Sequence, residues 1–289
     1  MTIRLGDNQY GKAETHVVRV TKGPLHEIRD LTVSIMLAGD FAATHLTGDN
    51  SKVVPTDTQK NVVFAFAKEA PIGEFEEFAQ RLADHFVHTY GAVQRARVSI
   101  EEQLWTRISV GGRPHPHAFE QSGSEKRLTT VTSTRDSHWV VSGLTELTLL
   151  KTAGSEFWGY PKDRYTTLPE AHDRVLATAV DARWRYSGAD ANWAEARAEA
   201  RRLIVETFAT THSLSLQQTL YAMGEAVLEA RHEIAEIRFS MPNKHHFVVD
   251  LKPFGLENDN EVFYASDRPY GLIEATVTRD DAVPADQAW

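Results

Sequence analysis

The chain has 289 residues, 42% of them hydrophobic and 25% charged, with no cysteine and a net charge of −9. That length holds one large domain or two of roughly 140 residues, and either arrangement buries a real core. The lack of cysteine excludes disulfides and thiolate chemistry, and an acidic balance without long single-sign runs excludes the basic field that nucleic acids or anionic membranes require.

Residues 14–22 and 30–39 alternate apolar and polar side chains on either side of Gly23 and Pro24, which predicts two strands joined by a loop. A helix is expected over 57–67, opening on Thr56 and Asp57, either of which suits an N-cap. A second is expected over 73–90, where Phe75, Phe78, Leu82 and Phe86 fall on one stripe and Gly91 ends the pattern. Alternation returns at 92–110, 115–122 and 126–134. The second half repeats this order, with strands at 142–151 and 177–187 and helices at 193–210 and 214–231. Leu216, Leu220, Met223 and Val227 form the stripe of the last helix. Strands then follow at 234–241, 245–252, 261–265 and 271–279. The pattern reads as two copies of strand–strand–helix–helix–strand–strand, hence two modules, 1–140 and 141–289. The predicted class is α+β, with helices on one face of antiparallel sheets. A bare second face and open edges are managed most economically by self-association.

Six clusters carry candidate chemistry. Lys12 follows Tyr10 and Gly11 just before the first strand. Thr56 and Asp57 open a helix, whose first N–H groups and positive dipole end suit an anion. Asn243, Lys244, His245 and His246 follow Pro242; on a strand the two histidines face opposite sides, so one metal cannot easily take both. His115 and His117 alternate, which places both imidazoles on one face as the start of a metal site, without a third ligand at a diagnostic spacing. Phe157, Trp158 and Tyr160, between Gly154 and Arg174, combine aromatic faces with a guanidinium. A flat anionic heterocycle needs that pairing: stacking together with planar bidentate hydrogen bonds. Leu216 and Gln217 open the last helix, and a glutamine amide presents donor and acceptor side by side, as the edge of a purine-like ring does.

In order and spacing, Tyr10-Gly11-Lys12, Thr56-Asp57-Thr58-Gln59-Lys60-Asn61, Gly154-Ser155-Glu156-Phe157-Trp158-Gly159, Tyr165-Thr166-Thr167-Leu168, Asp173-Arg174, Pro242-Asn243-Lys244-His245 and Arg268-Pro269-Tyr270-Gly271-Leu272-Ile273 together resemble the urate oxidase (uricase) family. The resemblance covers nearly the whole chain. It implies the tunnelling fold (T-fold), two tandem modules that close into a barrel on dimerisation and stack as a homotetramer, with active sites at subunit interfaces. It implies that Phe157 stacks on urate, that Arg174 and Gln217 clamp its pyrimidine edge, and that the backbone N–H groups of Asp57 and Leu216 hold other heteroatoms. Leu216 stands where some relatives have valine, a modest change because the backbone does the binding. Thr56 and Asn243 would border the place of dioxygen or water. Lys12, Thr56 and His245 would relay protons, the first two supplied by a neighbouring subunit. The implied reaction takes urate, O2 and water to 5-hydroxyisourate and hydrogen peroxide with no cofactor and no metal.

Two other readings use the same residues. A metal-dependent, pterin- or purine-handling cyclohydrolase-like enzyme would take His115 and His117 as ligands. A non-catalytic purine-binding protein would use Phe157, Arg174 and Gln217 without the relay. Residues 1–20 show no charged-then-apolar leader, and the final Asp286, Gln287, Ala288 and Trp289 are no Ser-Lys-Leu address, so a cytoplasmic location without membrane or nucleic-acid partners is expected.

Overall fold

The computed structural model describes residues 2–188 and 191–289. They divide into two compact units. One comprises the described residues of Met1–Gly143, Arg185–Ala194 and Val283–Trp289, the other Leu144–Trp184 and Glu195–Ala282.

The first unit holds β1 (Tyr10–Thr21), β2 (Glu27–Gly39), α1 (Ala42–Thr47), α2 (Thr56–Glu69), α3 (Phe75–Thr89), β3 (Val93–Val110) and β4 (Arg113–Ser133). The strands are antiparallel neighbours in chain order. Leu31, Val33, Ile35 and Leu37 of β2 turn one face inward, and Phe75, Phe78, Leu82 and Phe86 of α3 are fully buried, as their spacing predicts. α1 is absent from the sequence reading because one helical turn and a half gives no periodicity to detect; Phe41 anchors its start and Gly48, in the left-handed region, ends it.

β1 carries a bulge. Lys12 pairs with Ile35 and Thr15 with Val33, so three steps on β1 match two on β2, and Glu14 takes the extra residue at a φ of 56°. Its N–H donates to Ser34 Oγ at 2.9 Å. Directly opposed residues share a face, so Tyr10 and Lys12 before the bulge lie on the same face as Thr15 and Val17 after it. That is the face against which α2 packs. Without the extra residue, Lys12 would fall with the other parity. Gly11 is required where it stands, because a Cβ there would meet Ile35 O at 1.8 Å.

A charged network lies inside this unit. Glu76, only 1% exposed, accepts from Arg127 Nη2 at 2.7 Å, from Thr129 Oγ1 at 2.9 Å and from Ser142 Oγ. Arg127 also donates to Glu74 at 2.7 Å, and its guanidinium lies 4.5 Å from the Phe75 ring centroid. The C-terminal residues join the same unit: Arg97 donates to Ala288 O at 3.2 Å, and Arg95 donates to the Gln287 side chain.

The second unit holds most of β5 (His138–Lys151) and β6 (Leu176–Tyr186), nearly all of α4 (Trp193–Thr210), then α5 (Leu216–Ala230), β7 (Ile234–Val248) and β8 (Phe263–Thr278), with a 3-10 turn at Lys252–Phe254. β7 and β8 are antiparallel, and α5 packs on both. Leu216, Leu220, Met223 and Val227 are buried, the stripe read from the sequence. Gly224 lets α5 approach closely, since a Cβ would stand 2.6 Å from a Val277 methyl.

Three pairs of predicted strands are single long strands here. The breaks foreseen near 123–125 and 266–270 are register shifts instead. Residues 122–125 of β4 stand opposite Leu104, and residues 267–270 of β8 stand opposite Lys244. Local turn residues mark both places, but pairing resumes beyond them. Pro242, in the gap between the strands expected at 234–241 and 245–252, continues β7 and pairs with Leu272. No helix among the described residues is long and apolar enough to cross a membrane.

Candidate active site

In the second unit the segment from Gly154 to Pro169 has little regular structure and is pinned from both sides. Ser155 bridges Ser213 and Phe157 bridges Ala171. Glu156 N–H donates to Ser213 O at 2.7 Å, Phe157 N–H to Ala171 O at 2.8 Å, and Gly154 N–H to the Asp173 carboxylate at 2.8 Å. These bonds set Phe157 beside Arg174, whose Cζ lies 5.1 Å from the ring centroid. Tyr160 stacks on Phe157 at 4.9 Å with the rings inclined by 19°, and its hydroxyl donates to Leu168 O at 2.6 Å. Arg174 Nε is buried with no hydrogen-bond partner among the described residues. Burial pushes the Arg174 pKa down, yet a guanidinium stays charged, so its planar donors remain set for an acceptor.

α5 presents its N-terminus to the same place. Ser215 caps it by accepting from Gln218 N–H at 3.1 Å, and Gln218 Oε1 accepts from Leu214 N–H at 2.8 Å. That leaves the N–H of Leu216 among the unpaired donors of the first turn and Gln217 exposed beside it. β7 contributes Asn243 and His245, with the His245 ring stacked 5.7 Å from Phe247.

These elements enclose a cleft of about 840 Å³ lined by Phe157, Arg174, Leu216, Gln217, Asn243 and His245, among others. The sequence reading named all six. His246 lines the cleft as well, contrary to the alternation expected of a regular strand; the irregular β7–β8 pairing at Lys244 lies just before it. Next to Phe157 in the chain, and not lining the cleft, Glu156 forms a 2.6 Å ion pair with His212 that the sequence does not predict. Glu156 sits within a quoted motif, but nothing in the sequence pairs it with a histidine 56 positions on.

Lys12, Thr56 and Asp57 belong to the first unit and are not among the residues lining this cleft. Tyr10 pins the start of β1 to the segment before α2: its hydroxyl accepts from Val54 N–H at 2.7 Å, and its ring meets Phe41 edge-on at 4.9 Å. Lys12 thereby lies close enough to help hold the Asp57 carboxyl below the usual carboxylate range, after the larger effects of Lys60 and Asn61, which bond it at 2.5 and 3.0 Å. Neither Thr56 nor Asp57 is the N-cap. Pro55 is, because its carbonyl accepts the first helical bond from Gln59, and Thr56 takes the first helical position, which leaves its side chain exposed.

His245 titrates below the ordinary imidazole value, first because it is partly buried, then because Arg174 and His246 repel its charged form. It is therefore neutral at pH 7 and able to accept a proton. The native state thus binds fewer protons here than the unfolded chain, so this group lowers stability as the pH falls below the ordinary imidazole value and is without effect above it. Nuclear magnetic resonance titration of the imidazoles should show His245 protonating at lower pH than an exposed histidine, and Arg174→Met should move that titration upward. A His245 titration unmoved by Arg174→Met would discard the guanidinium as a cause.

The rings of His115 and His117 lie 4.6 Å apart, with His26 at 5.8 Å from His117. Among the described residues no three of His, Cys, Asp and Glu are grouped so as to hold a metal ion.

The family model described as uricase matches residues 8–132 and 140–274. The chain is 50% identical to a uricase from Arthrobacter globiformis over 286 residues, which span 99% of this chain and 93% of that protein. It is 38% identical to a uricase from Cyberlindnera jadinii, over 97% and 99% of the two chains. The crystal structure of the uricase from Arthrobacter globiformis superposes with a TM-score of 0.94 at 49% identity, covering 98% of each chain.

Proposed function

Because the chain belongs to the uricase family, we propose that it is a urate oxidase, converting urate, dioxygen and water to 5-hydroxyisourate and hydrogen peroxide in purine catabolism. The observation that carries this reading is the gathering of Phe157, Arg174, Gln217, Asn243 and His245 around one cleft. An aromatic face supported from behind by Tyr160 suits stacking of a flat ring. Arg174 and Gln217 supply planar donors and an acceptor for its edge, and the N–H groups of Leu216 and Asp57 supply further donors.

The urate anion is electron-rich and gives up two electrons to dioxygen, which leaves as peroxide after taking two protons; water adds to the oxidised ring as hydroxide. The protein's share of this work is orientation and proton movement. Lys12 and Thr56 take the two protons, one from the urate anion and one from water, and pass them on to peroxide, and neutral His245 completes the path. A lysine is an effective base near neutral pH only where its charged form is disfavoured, as burial between subunits would do. Asn243 and Thr56 hold dioxygen or water above the ring.

The working form in this reading is a homotetramer in which Lys12, Thr56 and Asp57 of one subunit complete the cleft of another. Two features support it. Those three residues do not line the cleft of their own chain. Edge strand β1 exposes Val18 and Val20, while edge strand β8 exposes Tyr264, Tyr270 and Leu272. A division into T-fold modules near residue 140 and a cytoplasmic location belong to the same proposal. The deciding experiment follows the near-ultraviolet absorbance of urate under air and under argon with no added cofactor. Oxygen-dependent loss with peroxide formation is the expected result; no loss in air, or equal loss under argon, would reject the reading.

A further inference from the structure

Among the described residues Glu156, which precedes Phe157, bonds to neither Arg174 nor Gln217, yet both of its carboxylate oxygens are engaged. Oε1 accepts from His212 Nε2 at 2.6 Å and Oε2 from Trp158 Nε1 at 2.5 Å. Its backbone N–H reaches Ser213 O at 2.7 Å, and Ser213 N–H returns to Gly154 O at 2.9 Å. Trp158 lies just beyond Phe157, and His212 lies in the short segment that leads through Ser213 and the Ser215 cap to Leu216 and Gln217. One carboxylate therefore spans Phe157 and ties the segment carrying it to the segment that starts α5. The Glu156 side chain is 20% exposed and that of His212 60%, so the pair reaches solvent and lies outside the core.

We propose that Glu156 is a positioning residue, with His212 as its partner, and that the bridge fixes the spacing between the stacking face of Phe157 and the α5 N-terminus that clamps the ring edge. This inference rests on the assignment of Phe157, Leu216 and Gln217 to urate binding. Two backbone bridges among the described residues hold the loop from Gly154, Ser155 with Ser213 and Phe157 with Ala171. The side-chain bridge adds a constraint between them at the position where a flat ligand demands a set separation. Hydrogen bonds from His212 and then from Trp158 hold the Glu156 carboxyl below its usual range, so the bridge persists as an ionised acceptor through neutral pH.

Urate cannot be oxidised without dioxygen, so its binding is measurable by titration under argon, separately from turnover. Glu156→Ala and His212→Ala should each raise the urate dissociation constant about tenfold, with kcat at saturating urate within about threefold of the parent, since the bridge preorganises binding and touches no reacting atom. Glu156→Gln should bind urate within about threefold of the parent, because an amide accepts from Trp158 and donates to a neutral His212. Arg202→Ala, which removes the exposed ion pairs to Glu199 and Glu206 on α4, is the control for loss of a surface charge. Unchanged urate binding in both alanine variants would overturn the proposal. So would a loss confined to kcat, or a Glu156→Gln variant as weak as Glu156→Ala. A parent chain that itself fails to bind urate would overturn the urate reading, and this proposal with it.

Discussion

Lys12→Met and Thr56→Val should each lower kcat about a hundredfold or more, the size expected when a positioned proton acceptor is removed. Urate binding under argon should change little, because the ring contacts proposed for Phe157, Arg174 and Gln217 remain. The same variants test where the site is assembled. Lys12→Met and Arg174→Met chains are each expected to be inactive alone, for lack of the proposed base and of the proposed clamp. Co-expressed, they form mixed pairs in which one of two sites draws Lys12 from one chain and Arg174 from the other. Random pairing then leaves about a quarter of all sites intact, and activity should recover to that level. A mixture as inactive as its parents would mean that each chain builds its site alone.

The second large effect concerns stability. Arg127→Met should destabilise the protein by about 3–5 kcal/mol, because it leaves the Glu76 carboxylate charged, buried and without its guanidinium. Thr129 and Ser142 would still donate to it, but neutral donors do not balance a buried charge. Chemical denaturation at fixed protein concentration reads the loss, concentration being held because association shifts apparent stability. Glu76→Leu combined with Arg127→Met should recover much of it, since the pair is then removed as a unit. A double variant no more stable than Arg127→Met would place the cost in packing against Phe75 instead.

The elements most legible in the sequence were those whose periodicity is long. α3 and α5 each repeat their buried residues over several turns, and β2 alternates from Leu31 to Leu37. Strand ends were harder, because a bulge and a strand terminus carry the same local residues. Gly123, at a φ of 70°, interrupts the alternation whether or not pairing resumes after it. Among site residues, Phe157 and Arg174 could be singled out because an aromatic beside a guanidinium has a chemical purpose. Lys12, Thr56 and His245 could not be raised above a surface lysine, a helix start and a strand histidine without the resemblance of the whole chain. The Glu156–His212 pair was invisible for another reason: its meaning lies in a contact between distant segments, and no spacing rule encodes that.

The bulge at Glu14 makes the placement of Lys12 depend on how many residues β1 contains as well as on what they are. Exchanging Ala13 or Glu14 for another residue leaves the amine on the face of α2. Gaining or losing one residue between Lys12 and Thr15 sends it to the opposite face, with Thr15 and Val17 still in the core. Over generations, drift in side-chain identity at these two positions is compatible with keeping the role proposed for Lys12, whereas drift in length is not.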